Sequence, residues 1–84
     1  MQQIIAIAGQ MGHILAAGRK RAGLTQAQAA ARLGISQSRI STLERDSAAL
    51  TLDQLLAMFG LYGLQLLVQD RPDAPLYEAN EADW

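Results

Sequence analysis

Residues 26–45 read QAQAAARLGISQSRISTLER, a pattern that predicts two short helices joined by a tight turn. Small Ala30 allows the helices to approach closely, and Gly34 permits the positive φ that such a turn requires. The apolar residues predicted to fill the space between and beneath these helices are Leu33, Ile35, Ile40 and Leu43. The second helix begins near Ser36 and presents a polar face made of Ser36, Gln37, Ser38, Ser41 and Thr42.

Further helices are predicted on both sides of this stretch. Residues 8–22 place Met11, Leu15 and Gly18 on one helical face, and Gly23 provides a C-terminal stop. Thr25 begins Thr-Gln-Ala-Gln, in which the second glutamine can complete a capping box for the helix that ends at Gly34.

The fourth predicted helix begins with a second capping box, Thr51-Leu-Asp-Gln, and ends at Gly60 and Gly63. Spacing of i, i+3, i+4 and i+7 predicts that it buries Leu52, Leu55, Leu56 and Phe59. The fold class is therefore mainly α.

After this helix the hydrophobic period changes to that of a short strand, formed by Leu64, Gln65, Leu66, Leu67 and Val68. One isolated strand cannot satisfy its main-chain hydrogen bonds, and the chain shows no second convincing strand. The economical arrangement is a homodimer in which a partner chain contributes the same strand across a two-fold axis. The alternative is that residues 64–68 pack over the helical core as extended chain.

Charge and composition divide the chain at residue 70. The net charge of −1 hides a body of +3 in residues 1–69 and an acidic segment of −4 in residues 70–84. Because Pro72 and Pro75 oppose regular structure, residues 70–84 are predicted to be a flexible tail. Tyr77 and Trp84 are unusual in such a tail, which indicates either a docking motif or tolerance of substitution.

Composition argues against several functional classes. The chain has no cysteine, its only histidine is His13, and no Gly-rich phosphate loop or paired carboxylates suggest an enzyme. We therefore expect no catalytic site, metal or cofactor. No apolar run is long enough to span a bilayer, and residues 4–8 lack the flanks of a signal peptide. These features, with Met1 at the start, predict one small domain in the bacterial cytoplasm, without a membrane partner.

Residues 19–61 resemble the Xre/Cro-type helix-turn-helix family, which includes phage repressors. The features that coincide are Thr25-Gln26, Ala30, Gly34, Ile40 and Leu43-Glu44. The resemblance implies a four- to five-helix, lambda-repressor-like DNA-binding domain. Here the strand of residues 64–68 would be added to that domain and would pair across a dimer.

The resemblance also implies roles for single residues. It assigns Gln26 to a DNA phosphate and places Gln37 and Ser38 at base edges of the major groove. Glutamine can bond adenine N6 and N7 together, and serine can donate or accept. The full DNA-contact set expected is Thr25, Gln26, Ser36, Gln37, Ser38, Arg39, Ser41 and Thr42.

Other charged residues are expected to have different roles. Arg19 and Glu44 resemble an internal salt bridge of the family. For Arg21 and Arg32, phosphate contact and solvated helix surface remain equal alternatives.

The whole layout is similar to that of the HipB antitoxins, because an acidic tail ending in Asp83-Trp84 follows the strand. That resemblance implies a homodimer on a palindromic double-stranded operator, repression of its own operon, and binding of a HipA-type serine/threonine kinase toxin. Tyr77, Asp83 and Trp84 are the expected toxin-binding residues. The alternatives are a stand-alone phage- or plasmid-type repressor without a toxin and an interaction module that uses the fold without binding DNA.

Overall fold

The computed structural model describes residues 2–72, and within them all regular structure is helical. The elements are α1 (Gly9–Arg21), α2 (Gln26–Leu33), α3 (Gln37–Arg45), a short 3₁₀ turn (Ser47–Ala49) and α4 (Leu52–Tyr62). These bounds confirm the four predicted helices to within a residue or two. No helix of this part of the chain has the length and apolar character needed to cross a membrane. The expected toxin-binding residues Tyr77, Asp83 and Trp84 lie outside the described residues.

Side-chain caps begin three of the helices, as the sequence predicts. The hydroxyl of Thr25 accepts the main-chain N–H of Gln28 at 3.0 Å, and the Gln28 side chain accepts the N–H of Thr25 at 2.9 Å. Thr51 and Gln54 form the same reciprocal pair at the start of α4. The Ser36 hydroxyl caps α3. Because each cap satisfies an otherwise unpaired N–H, each contributes about 1 kcal/mol to stability.

The core lies where α1, α3 and α4 meet and is closed on one side by α2. Four side chains are completely enclosed: Leu15, Ile40, Leu43 and Met58. Two alanines of α2, Ala29 and Ala30, are also buried. Their small side chains let α2 approach its neighbours closely, as the sequence predicts.

One prediction about α4 is wrong in register. Leu52 and Leu56 are 61% and 48% exposed, whereas they were expected to be buried. The face of α4 that packs on the core begins at Leu55 and carries Leu55, Met58, Phe59 and Tyr62. The same i, i+3, i+4, i+7 spacing therefore applies, but it starts three residues later than expected. The helix also continues through Gly60 and ends only at Gly63.

Two glycines fix how α3 is joined to its neighbours. Gly34 ends α2 with φ of 70°, so the left-handed conformation expected at the turn before α3 is confirmed. Gly12 of α1 lies against the main chain of α3, where an added Cβ would collide with the carbonyl oxygen of Glu44. Helices α1 and α3 therefore cross with no side chain between them at this point.

Residues 64–72 follow α4 as chain without regular secondary structure, so the described residues of this single chain form no strand. Leu64 is half-buried and packs against the core. The next side chains turn outward, and Leu67 and Val68 are 61% and 94% exposed. The expected pairing of this segment across a dimer stays a prediction.

Candidate nucleic-acid interface

Helix α3 presents an exposed polar face because its apolar residues all point to the other side. Ile40 and Leu43 are completely buried, one helical turn apart. The polar residues of the expected contact set occupy the remaining surface. Ser36, Gln37, Ser38 and Thr42 are exposed, and Arg39 and Ser41 are half-buried.

The N-terminal turn of α3 offers hydrogen-bonding groups to solvent. The Ser36 hydroxyl accepts the main-chain N–H of Arg39 at 3.1 Å and lies 3.2 Å from the Ser38 hydroxyl. The side chain of Gln37 makes no hydrogen bond with the residues that the structure describes, so both its donor and its acceptor face outward. No acidic residue lies in this turn, which leaves the positive end of the helix dipole available to an anion.

The Glu44 carboxylate holds the other end of α3. Its two oxygens accept hydrogen bonds from Arg19 of α1, at 2.7 Å from Nε and 3.1 Å from Nη2. The remaining Arg19 nitrogen, Nη1, donates to the carbonyl of Leu24 at 2.9 Å. Gln26 Nε2 of α2 donates to Glu44 at 3.1 Å. We call Arg19, Gln26 and Glu44 the Glu44 cluster; it joins α1, α2 and α3 through one carboxylate.

This ion pair is buried, unlike an ion pair on the protein surface. The side chains of Arg19 and Glu44 are only 10% and 8% exposed. The hydrogen bond to Glu44 raises the pKa of Arg19, and this effect exceeds the opposing effect of desolvation. The Arg19 guanidinium therefore stays positively charged at neutral pH.

Tyr62 of α4 lies beside this pair and does not disturb its charge balance. Burial raises the pKa of the Tyr62 phenol, so the group remains neutral near pH 7. Its hydroxyl is enclosed and makes no hydrogen bond within the described residues. The Glu44 cluster thus has an uncharged neighbour on the α4 side.

A helix-turn-helix family model matches residues 15–68, which include all of α2, α3 and α4. The chain belongs to the helix-turn-helix family. Members of this Xre/Cro-like family are DNA-binding transcriptional regulators. No curated protein and no solved structure matches the chain.

Within the helix-turn-helix, the side chains of two expected DNA contacts, Gln26 and Arg39, bond to residues distant along the chain. Gln26, expected at a phosphate, is half-buried and uses its amide nitrogen to bind Glu44. Arg39, expected near phosphate or guanine, donates from Nη2 to the Ala49 carbonyl at 3.0 Å and to Gln54 Oε1 at 3.1 Å. These bonds connect the start of α3 to the start of α4. No local sequence pattern predicts these bonds, because they join residues distant along the chain.

Arg45 is a candidate contact that the sequence analysis did not single out. It is exposed in the last turn of α3, where its Nε donates to the Ser41 carbonyl at 3.3 Å. Its Nη2 lies 3.5 Å from the Thr42 hydroxyl. The side chain therefore places a positive charge along the same face as two expected contacts. Arg45 follows Thr42 by three residues and Ser41 by four, and this helical spacing predicts that the three side chains are neighbours.

Elsewhere the described surface carries scattered cations and no metal-binding arrangement. Lys20, Arg21 and Arg32 are exposed, which is compatible with both alternatives for the two arginines. Within residues 2–72, no group of His, Asp and Glu side chains has the arrangement of a metal site. The hydrogen-bonding and charged side chains of α3 therefore remain the candidate nucleic-acid contacts.

The Glu44 cluster predicts a specific pattern of stability changes. Glu44→Ala leaves the buried Arg19 charge without its carboxylate, so we expect the free energy of unfolding to fall by about 3 kcal/mol. The double variant Arg19→Met with Glu44→Leu removes both charges and should recover most of that loss. Urea denaturation followed by circular dichroism measures both. A Glu44→Ala variant within about 0.5 kcal/mol of the wild type would contradict a structural role for the pair.

Proposed function

We propose that this chain is a transcriptional repressor that binds a palindromic operator as a homodimer. The observation that supports the proposal most directly is the exposed, uncharged stretch from Ser36 to Ser38 at the start of α3, in which the Gln37 side chain has no internal partner in the described residues. A merely solvated helix surface usually carries charges. An acceptor and a donor on one side chain instead suit the edge of a base pair.

In this proposal the contacts divide between bases and phosphates. Gln37 bonds adenine N6 and N7, Ser38 reaches the neighbouring base, and Ser41 and Thr42 extend the contact along the groove. Phosphates are bound by Thr25, Gln26, Ser36 and Arg39, together with Arg45. The Glu44 cluster orients Gln26, and the bonds to α4 orient Arg39. These two phosphate-binding side chains are therefore held in place before DNA binds.

A homodimer is proposed because one copy has little charge to offer. The body carries only +3 in residues 1–69, so its non-specific attraction to phosphate is weak. Pairing of Leu64, Gln65, Leu66, Leu67 and Val68 across a two-fold axis would present two α3 helices to successive major grooves. Those half-sites lie about 34–36 Å apart on B-DNA.

The tail extends the proposal to an antitoxin function in a type II toxin–antitoxin operon. The acidic segment of residues 70–84 contains Tyr77, Asp83 and Trp84. A repressor without a protein partner has little need for these residues. We propose that these residues bind a HipA-type kinase toxin, while the domain of residues 1–69 binds DNA on the bacterial nucleoid. A stand-alone phage- or plasmid-type repressor is the alternative.

Base recognition predicts a loss of specificity when the polar turn of α3 is truncated. Gln37→Ala and Ser38→Ala should each weaken binding to the selected duplex by about 1–3 kcal/mol, and leave binding to a scrambled duplex unchanged. The duplex is obtained by selecting a random-sequence pool with the wild-type chain, and affinities are measured by fluorescence anisotropy.

His13→Ala is the matched control, because His13 is an exposed polar residue of α1 that lies outside the expected DNA-contact set. It should bind both duplexes like the wild type. Equal affinity of the Gln37→Ala and wild-type chains for the selected duplex would reject base recognition by α3.

The antitoxin proposal predicts that DNA and toxin binding separate on truncation. Deletion of residues 76–84 should leave affinity for the selected duplex within about twofold. It should weaken binding to a HipA-type kinase encoded beside the gene at least tenfold, measured by calorimetry. Unchanged kinase affinity would reject tail docking. Absence of such a neighbouring kinase would favour the stand-alone repressor.

A further inference from the structure

Exposed aliphatic side chains are concentrated in one part of the described surface. Of its eight exposed large hydrophobic residues, two belong to α4, and the other six belong to two extended segments at the ends of the domain. Those six are Ile4, Ile5, Ile7, Leu66, Leu67 and Val68. Such a concentration on a small protein marks an interaction site.

The two segments form the walls of one groove. Residues 2–5 and 63–72 line it, and Met11, Ile14 and Phe59 at the edge of the core also contribute. The groove is open and has a volume of about 810 Å³. We call residues 2–7, of which residues 2–5 line the groove, the N-terminal wall, and residues 64–70 the C-terminal wall.

A single side chain, that of Gln10, ties the N-terminal wall to the start of α1. Gln10 Oε1 accepts the main-chain N–H groups of Ala6 at 2.7 Å and Ile7 at 3.0 Å. The amide nitrogen of Gln10 donates to the carbonyl of Ile4 at 3.2 Å. The wall is therefore fixed to the start of α1, and yet Ile4 and Ile7 remain 81% and 68% exposed.

The C-terminal wall has unused main-chain groups. Leu64 N–H bonds to the Phe59 carbonyl at 2.8 Å, but residues 65–70 make no main-chain hydrogen bond with other described residues. An extended segment with unpaired N–H and C=O groups and apolar side chains is suited to pairing with another extended segment.

Charge indicates which occupant fits the groove. Residues 2–18 and 54–69 contain no Asp, Glu, Lys or Arg, the uncharged polar side chains on the walls are glutamines, and the charged residues that line the groove, Asp70 and Arg71, have opposite signs, so the groove carries no net charge. A two-fold axis places each surface against its own copy, so any net charge there would repel itself. A glutamine can donate and accept and thus pairs with its own copy. These walls therefore suit a second copy of the chain.

We propose that the groove is the homodimer interface and that the N-terminal wall forms half of it, against the C-terminal wall of the second copy. This inference rests on the proposed function, which requires a dimer, and adds the segment around Ile4 and Ile7 to it. Pairing of the C-terminal walls supplies main-chain hydrogen bonds. The N-terminal walls bury the aliphatic side chains that such pairing leaves exposed.

Substitution of exposed residues tests the proposal without altering the core. Ile4→Glu with Ile5→Glu should raise the dimer dissociation constant at least 100-fold, measured by analytical ultracentrifugation of the full chain. Leu52→Glu with Leu56→Glu is the matched control, because these residues are also exposed aliphatics but lie outside the groove. That control should remain as dimeric as the wild type. Circular dichroism verifies that both variants are folded.

The outcomes separate this inference from the proposed function. If Leu66→Glu with Val68→Glu dissociates the dimer but the Ile4 and Ile5 variant does not, the N-terminal wall is rejected and the dimeric repressor stands. Equal dissociation by the α4 control would also reject the groove. A monomeric wild type that binds the selected duplex with full affinity would reject both the dimer and this inference, while leaving base recognition by α3 intact.

Amide hydrogen exchange of the wild-type chain provides a second measurement that needs no variant. As concentration rises through dimerisation, exchange at Ile4, Ile5 and residues 65–68 should slow together. Protection confined to residues 65–68 would overturn the proposed role of the N-terminal wall.

Discussion

The orientation of α3 depends on one buried carboxylate, that of Glu44. Arg19, Gln26 and Glu44 come from three helices, and their hydrogen bonds meet at two oxygen atoms. A buried carboxylate has few alternative hydrogen-bond donors, so it holds the donors around it in one arrangement. Movement of α3 away from α1 would leave Arg19 and Glu44 enclosed without a partner, which is costly in a low-dielectric interior.

Gly12 reinforces the same constraint without any charge. Because α1 has no side chain at this position, the Glu44 carbonyl lies against the main chain of α1, and the carboxylate is brought within reach of Arg19. Caps at Thr25 and Ser36 then fix where α2 and α3 begin. Burial of Ile40 and Leu43 determines which face of α3 points inward. The polar face is consequently presented by a rigid helix and not by a loop.

Local features of the sequence predicted the parts of the fold that local physics decides. The capping boxes at Thr25 and Thr51 and the left-handed turn at Gly34 depend on residues a few positions apart, and the structure confirms them. The Arg19–Glu44 ion pair was expected only from resemblance to a family, since 25 residues separate the partners. The prediction for α4 was right for Leu55 and Phe59, which are buried, and wrong for Leu52 and Leu56, which are equally apolar but exposed. Only the position of the other helices decides which of them is buried.

The candidate site was predicted in part, for a related reason. The polar residues from Ser36 to Thr42 follow one helical face, so their common exposure could be read from spacing alone. Bonds from Gln26 to Glu44 and from Arg39 to Gln54 depend on how helices meet, and no local pattern reveals them. Assembly of residues 2–5 and 63–72 into one groove is likewise a tertiary property.

Chemical-shift mapping tests the central claim, that the start of α3 faces DNA, most directly. Titration of the ¹⁵N-labelled chain with the selected duplex should shift the amides of Ser36, Gln37 and Ser38 most, with smaller shifts at Ser41 and Thr42. Amides at His13 and along the exposed face of α4 should barely change. The largest shifts on α4 or in the groove, with α3 unaffected, would contradict the account.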